Sequence, residues 1–268
     1  MSQARVLRAI VLKSHDTGNT SEVVHVLTGE LGRLSVYARG LKDPRSRHAG
    51  VLQPLSEVEL SLHLKDGADL GTLRDATLID AHPAIASDLE RLALGLLLAE
   101  AASTAGEPGH PCEDAYEALR QGLARIEPAS GLPPLDSTCA ALADLLHAMG
   151  YGPQLDATAT RPWPAGEPRP TCFWLRPETA TIHLANRQPT AAPDWPITRP
   201  RGTTDFPIPP SAVRFLHNLA QGDTVPRLTA PEAMQLIEAL VRIAELHHDA
   251  PLRANRFWRE ISGQEKQG

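Results

Sequence analysis

Hydrophobic positions along the first 80 residues alternate with polar ones at the two-residue period of half-buried strands. Arg33–Arg39 is the cleanest case. Leu34, Val36 and Ala38 fall on one face, and Arg33, Ser35, Tyr37 and Arg39 on the other. Glu57–Lys65 alternates as strictly, and Asp66-Gly67 ends it. Leu7–Lys13, Glu22–Thr28 and about Thr72–Ile79 complete the set of five short strands, and Gly29-Glu30-Leu31-Gly32 makes a tight connection. Each strand has one apolar face, so a small closed barrel hides edges that an open sheet would leave bare. The pattern favours an OB-type barrel and leaves an SH3-like barrel open.

Beyond Pro83 the period becomes helical. Ser87-Asp88-Leu89-Glu90 reads as a capping box in which Ser87 and Glu90 satisfy each other's backbone N–H groups. The helix that follows, to about Ser103, is apolar nearly all round and is predicted to be central and buried. Glu113–Ile126 and Asp136–Met149 are two more helices, and Gly150-Tyr151-Gly152-Pro153 stops the second. Residues 151–210 hold 13 of the 24 Pro. They read as loop with at most a short hairpin around Cys172–Leu175 and Thr181–Leu184. Ser211–Gln221 is a short helix. Thr229-Ala230-Pro231-Glu232 is a second capping box opening a helix to about His247, and Leu252–Ile261 carries a last short helix. The predicted organisation is α+β and multidomain. Residues 1–81 form an OB-fold β-barrel, and 82–268 form a mainly α-helical domain in which 154–210 are an irregular Pro-rich insertion.

Charge then changes the picture. The 268 residues hold 26 Lys+Arg against 32 Asp+Glu, a formal −6, and that balance argues against a coat over nucleic acid. The sum is not uniform. Residues 1–48 hold eight Lys/Arg against four acids, so 49–268 carry −10. Within Arg33–His48 stand Arg33, Arg39, Lys42, Arg45 and Arg47 against Asp43 alone, a local +4. The strand half interleaves cation, aromatic and cation, and Gly40–His48 is a basic loop. Phosphates need forked or point cations, and unpaired bases need a plane to stack on. A solvated strand face with a charged loop has the same composition.

Other chemistry has little support. Cys112, Cys139 and Cys172 are too few and scattered for a disulfide framework or a four-Cys zinc site. His110-Pro111-Cys112 sits in a loop setting unsuited to a dyad. His247-His248 point about 100° apart on a helix, whereas zinc pairs stand at i, i+3 or i, i+4, so helix-end carbonyls are the expected partners. The chain has no GxSxG, no HExxH, no GxxxxGK[ST] and no GxGxxG after a strand. Asp66/Asp69 and Asp75/Asp80 lie on or beside short strands with no converging cation or His. No catalytic constellation emerges, so the expectation is a protein that is not an enzyme. The longest apolar run, Leu92–Ala102, is too short to span a bilayer, and Met1–Asp16 has no secretory pattern. A reduced cytoplasm and no membrane partner are expected.

With these residues in place, the chain resembles the RecO family of bacterial recombinational repair proteins. Ala9–Lys13 and Val24–Gly40 resemble the family's first strands, with its "LT…G" turn and "A-basic-G" strand end. Lys42, Arg45, Ser46 and Arg47 resemble its basic loop, and Leu52-Gln53-Pro54-Leu55 its "LQP" turn. Met149–Leu155 resembles its "G-Y-x-P-x-L" helix stop, and Leu246-His247-His248 with Pro251–Phe257 its C-terminal segment. The resemblance implies an N-terminal OB fold and a helical C-terminal domain. It implies binding of single- and double-stranded DNA, strand annealing, and help in loading recombinase onto coated single strands. The implied partners are RecR and the C-terminal tail of the single-stranded-DNA-binding protein, and the implied location is the cytoplasm, at the nucleoid. DNA contact carries over to Arg33, Arg39, Lys42, Arg45 and Arg47, and also to Lys13, Tyr37 and Arg253.

One departure concerns zinc. Many members follow the helix stop with two Cys pairs that bind structural zinc. Here the first pair's places fall near Thr158 and Arg161, Phe173–Arg187 has no Cys, and Cys172 has no mate. No cofactor is expected. Arg161–Pro170 then depends on stiff backbone and on packing of Trp163 and Trp174. The alternative function is an OB scaffold whose acidic helical half binds partner proteins with little DNA binding of its own.

Overall fold

A computed structural model describes residues 2–43, 45–65, 67–128, 131–160, 170–184, 205–248 and 250–262. Five strands come first: β1 (Ser2–Thr17), β2 (Ser21–Thr28), β3 (Gly32–Ala38), β4 (Glu57–Lys65) and β5 (Leu70–Asp80). They close in the order β1-β2-β3-β5-β4, with β4 pairing back onto β1. The β3–β5 pair is parallel and the rest are antiparallel. This is an OB barrel, and closure removes the free edges. Its interior is filled by Leu7, Ala9, Val11, Val24, Val26, Leu34, Val36, Ala38, Val58, Leu60 and Leu62.

Packing divides the chain into two compact units. One is residues 1–134 with 252–268, and the other is 135–251. The change from strand to helix at 81/82 therefore lies inside the first unit. That unit holds the barrel, α1 (Pro83–Ala86), α2 (Leu89–Ala101), α3 (Glu113–Ile126) and α8 (Arg253–Ile261). α2 is buried over most of its surface, as its composition predicts. A Cβ on Gly95 would stand 2.8 Å from Leu55 Cδ1 and 3.3 Å from Ile85 Cγ2, so glycine lets α2 approach. Leu55 has φ +73°, a conformation that only strong local constraint imposes on leucine. Leu55 N–H bonds Val11 C=O and Val11 N–H bonds Ser56 C=O, and these two bonds supply that constraint. α8 docks on α2, and the Ala254 N–H, in the first turn of α8, donates to Glu100 Oε2 at 2.7 Å.

The second unit contains most of α4 (Pro134–Ala148), then β6 (Gln154–Leu155), α5 (Ala157–Thr160), β7 (Phe173–Arg176), β8 (Thr181–Leu184), β9 (Phe206–Ile208), α6 (Pro210–Gln221) and α7 (Ala230–His248). α4 ends in a Schellman turn. Gly150 N–H bonds His147 C=O, Tyr151 N–H bonds Leu146 C=O, and Gly150 has φ +88°.

Three expectations need correction. Residues 154–210 are not irregular throughout: the expected β7–β8 hairpin is joined by β6 and β9 in a sheet of order β6-β8-β7-β9. These strands have two to four residues, too short for a readable period, and Pro207 in β9 is tolerated because β9 is an edge. The first cap is displaced by one residue. Asp88 caps α2 by accepting the Arg91 N–H, and the Ser87 hydroxyl donates to Ala84 C=O. His247 does not turn to the helix-end carbonyls but stacks on Tyr151, ring centroids 3.8 Å apart. At the second cap, Thr229 N–H and hydroxyl both donate to Glu232 Oε2. Residues 161–169, with Trp163 and Arg161, lie outside the described residues.

Candidate nucleic-acid interface

The outward face of β1–β2–β3 holds three of the predicted residues, Lys13, Arg33 and Tyr37, and a bulge puts Lys13 there. In β1, Leu7, Ala9 and Val11 point inward. Simple alternation would send Lys13 and His15 after them. The register shifts between Val11 and Lys13, so Leu12 is the extra residue. Beyond it Lys13 pairs His25, and His15 pairs Val23, on the outer face. Across β2, His25 pairs Ser35 and Val23 pairs Tyr37. The result is two outward rows, Lys13–His25–Ser35 and His15–Val23–Tyr37. The Tyr37 hydroxyl donates to Ser21 Oγ at 3.2 Å, which holds its ring against the sheet.

The hairpin that carries this face is closed locally. The Thr28 hydroxyl donates to Gly32 C=O and accepts the Leu31 N–H, which explains the Leu-Thr before the turn. Gly32 has φ +64°, and a Cβ there would lie 2.5 Å from Glu107 C=O. The segment 107–112 packs against the turn through Gly109 N–H to Leu31 C=O and Cys112 N–H to Gly29 C=O. The Cys112 thiol donates to Thr28 C=O, and burial first, then Glu113, pushes its pKa up, so it is a packed group rather than a thiolate nucleophile.

The cations divide into three groups. Lys13, Arg39 and Arg45 are exposed and make no ion pair among the described residues. Lys42 and Arg47 are exposed but paired, Lys42 with Asp16 and Arg47 with Asp75 at 3.1 Å. Arg33 is half-buried. Its Nε donates to Gly106 C=O and its Nη1 to Ser103 C=O, each at 2.9 Å, so it clips the turn after α2. Arg253 opens α8, which packs on α2, and does not belong to the sheet rows.

Asp75 also corrects the expectation that the β5 carboxylates meet no cation or His. Its Oδ1 lies 3.0 Å from His48 Nε2 as well as beside Arg47. The His48 hydrogen bond, then the Ala76 N–H, hold its carboxyl below the usual range. Asp80 accepts the His82 N–H at 2.8 Å. Sequence counting made residues 1–48 basic, but β5 and the end of β1 bring acids onto this surface.

Lys13, His25, Arg33, Ser35, Asp69, Ser103 and Pro108 help line a cleft of about 410 Å3, and the Ser35 N–H donates to Asp69 C=O at 2.8 Å. His15, His25 and His48 carried no sequence signal because their pairing runs across strands. Among the described residues no group of His, Cys, Asp and Glu is arranged to hold a metal ion. Thr158, near one expected zinc-ligand position, has its hydroxyl on Asp156, and the Cys172 thiol donates to Phe173 C=O, so these residues do not fit a thiolate zinc site. Among the described residues no helix is long and apolar enough to cross a membrane.

Comparison with known proteins agrees with the barrel and its turns. Family models described as Recombination protein O N terminal and Recombination protein O C terminal match residues 1–82 and 86–161. A protein of Anaeromyxobacter sp. (strain K) named DNA repair protein RecO is 30% identical over 258 residues, 95% of this chain and 96% of the relative. The chain belongs to the RecO family. RecO proteins of Anaeromyxobacter dehalogenans (strain 2CP-C) and Salinibacter ruber are 29% and 28% identical, over 95% and 90% of this chain. The first family match ends at residue 82, two residues past β5, so the RecO N-terminal region coincides with the OB barrel.

Proposed function

We propose that this RecO-family chain is a DNA repair mediator without catalytic residues. It binds single- and double-stranded DNA, anneals complementary strands and helps load recombinase onto coated single strands. One observation carries the reading: Lys13, Arg39 and Arg45 stand exposed and without ion pairs among the described residues, Lys13 with Tyr37 on the outer face of an OB barrel, Arg39 at the end of β3 and Arg45 in the loop that follows. Exposed cations on and next to a β surface neutralise phosphate while bases stay free to pair. Lys42 and Arg47 join when phosphate displaces their exposed carboxylate partners, Arg33 shapes the cleft wall, and Arg253 is a separate contact on α8.

RecR and the C-terminal tail of the single-stranded-DNA-binding protein are the proposed partners. The cytoplasm, at the nucleoid, is the proposed location, and no zinc is required. The formal −10 over residues 49–268 favours protein contacts for the remainder of the chain, and this does not compete with a basic barrel face. Annealing of fluorescent complementary strands tests the reading. Changing both Arg39 and Arg45 to Ala is expected to slow annealing, weaken binding and flatten the dependence of log K on log salt by about two. Annealing equal to the parent at matched salt would overturn the assigned face. Stoichiometric zinc by elemental analysis would overturn the cofactor reading.

A further inference from the structure

One cluster on the same face has no role among the cations. His15 and His25 stack with ring centroids 5.0 Å apart and planes 26° from parallel. His25 Nε2 lies 3.1 Å from His15 Nδ1, and His25 Nδ1 lies 3.2 Å from the Ser35 hydroxyl. The contacts run from β3 through β2 to β1, so the sheet, not a loop, sets the ring orientation. His25 is half-buried and backs the exposed His15. Lys13 stands beside His25 in register, and Tyr37 lies in the His15 row two strand spacings away, about 10 Å.

We infer that His15, backed by His25, is a stacking platform for a base of single-stranded nucleic acid. The inference rests on the DNA reading above and names the class of nucleic acid that this face prefers. In a duplex both π-faces of a base are covered by its neighbours. An unpaired strand can turn a base onto a protein ring while its phosphates meet nearby cations. Here the ring lies next to Lys13 and His25, the cleft that these two help line has room for sugar and phosphate, and Asp69, whose C=O accepts the Ser35 N–H, is the acid in that lining. Burial, then His15 and Lys13, hold His25 below the ordinary imidazole range, so it adds a flat surface and not a charge. The bulge at Leu12 is what brings His15 outward, and bulges re-aim side chains in this way.

Fluorescence anisotropy at pH about 8.5, above the ordinary imidazole range, tests this with labelled oligothymidylate and a labelled duplex of equal length. His15→Ala is expected to weaken oligothymidylate binding roughly tenfold, the size of one stacked base. Duplex affinity and the salt slope stay unchanged, and His15→Phe restores binding. An oligonucleotide carrying 2-aminopurine is quenched by the parent and by His15→Phe, not by His15→Ala. Equal loss on single strand and duplex, or no loss while Arg39→Ala still weakens binding, overturns the platform and leaves the DNA reading intact. A parent chain that binds neither nucleic acid overturns both. His15 is exposed, so thermal melting of the variants is expected to match the parent and to exclude misfolding.

Discussion

The Tyr116 hydroxyl donates to Glu57 Oε1 at 3.0 Å, tying α3 to the first residue of β4. Both side chains are buried. Burial first, then the Glu57 charge and the hydrogen bond to it, push the Tyr116 pKa far above its ordinary value. A buried carboxylate that loses its donor keeps its desolvation cost. Tyr116→Phe is therefore expected to lower unfolding free energy by about 1–3 kcal/mol in urea titrations. The pH dependence follows from the raised folded pKa. The contribution is complete below the ordinary tyrosine value near pH ~10 and is lost as pH rises above it. The parent loses stability in that range, and Tyr116→Phe shows a smaller loss.

Arg33 and Arg39 bracket one strand and serve different ends. Arg33→Ala removes two donors from the Gly106 and Ser103 carbonyls and is expected to cost about 1–3 kcal/mol of stability. Arg39→Ala is expected to leave the melting temperature unchanged and to lower the salt slope of DNA binding by about one. Thermal melts and salt titrations on the two variants together check the division.

Asp75 restrains two basic side chains of the 40–48 loop. Asp75→Asn is expected to tighten DNA binding and to steepen the salt slope by about one, because Arg47 is released for phosphate. Anisotropy across a salt series reads both effects. Unchanged binding would mean that the loop lies away from the phosphates.

Asp136 is 1% exposed at the start of α4, and burial pushes its carboxyl up despite the Leu228 N–H and nearby Arg227. A carboxyl with a folded pKa above its unfolded value near 3.9 stabilises the fold fully at pH below about 4, and that contribution is lost as pH rises through the folded pKa. Asp136→Asn lacks the loss. The variant is expected to melt above the parent at pH about 7, with the gap closing toward pH about 4. Differential scanning calorimetry at both pH values checks it.

The strand faces of β3 and β4, the extent of α3, and the turn at Thr28–Gly32 were legible from alternation, helical spacing and turn chemistry, because burial of one face imposes a period on neighbours in sequence. The basic strand and loop were legible as composition. Their division into exposed, paired and clipped cations was not, since Asp75, Gly106 and Ser103 lie 28 to 73 residues from Arg47 and Arg33. Of the β6-β8-β7-β9 sheet the β7–β8 hairpin was legible, but β6 and β9 were not, because strands of two and three residues draw their order from pairing across long intervals and not from their own pattern.

Local periodicity alone therefore gave a small barrel followed by helices, and the order of motifs gave the resemblance to the RecO family that the comparisons bear out. The outward turn of Lys13 and His15 depended on one extra residue in β1, whose place is chosen by pairing with β2. The ring stack of His15 on His25, the restraint of Arg47 by Asp75 and the clip made by Arg33 depended on which strands closure brought together. Sequence spacing reports the neighbours a side chain has along its own element. Charge and stacking at a surface depend on neighbours across elements, and only the closed fold supplies those.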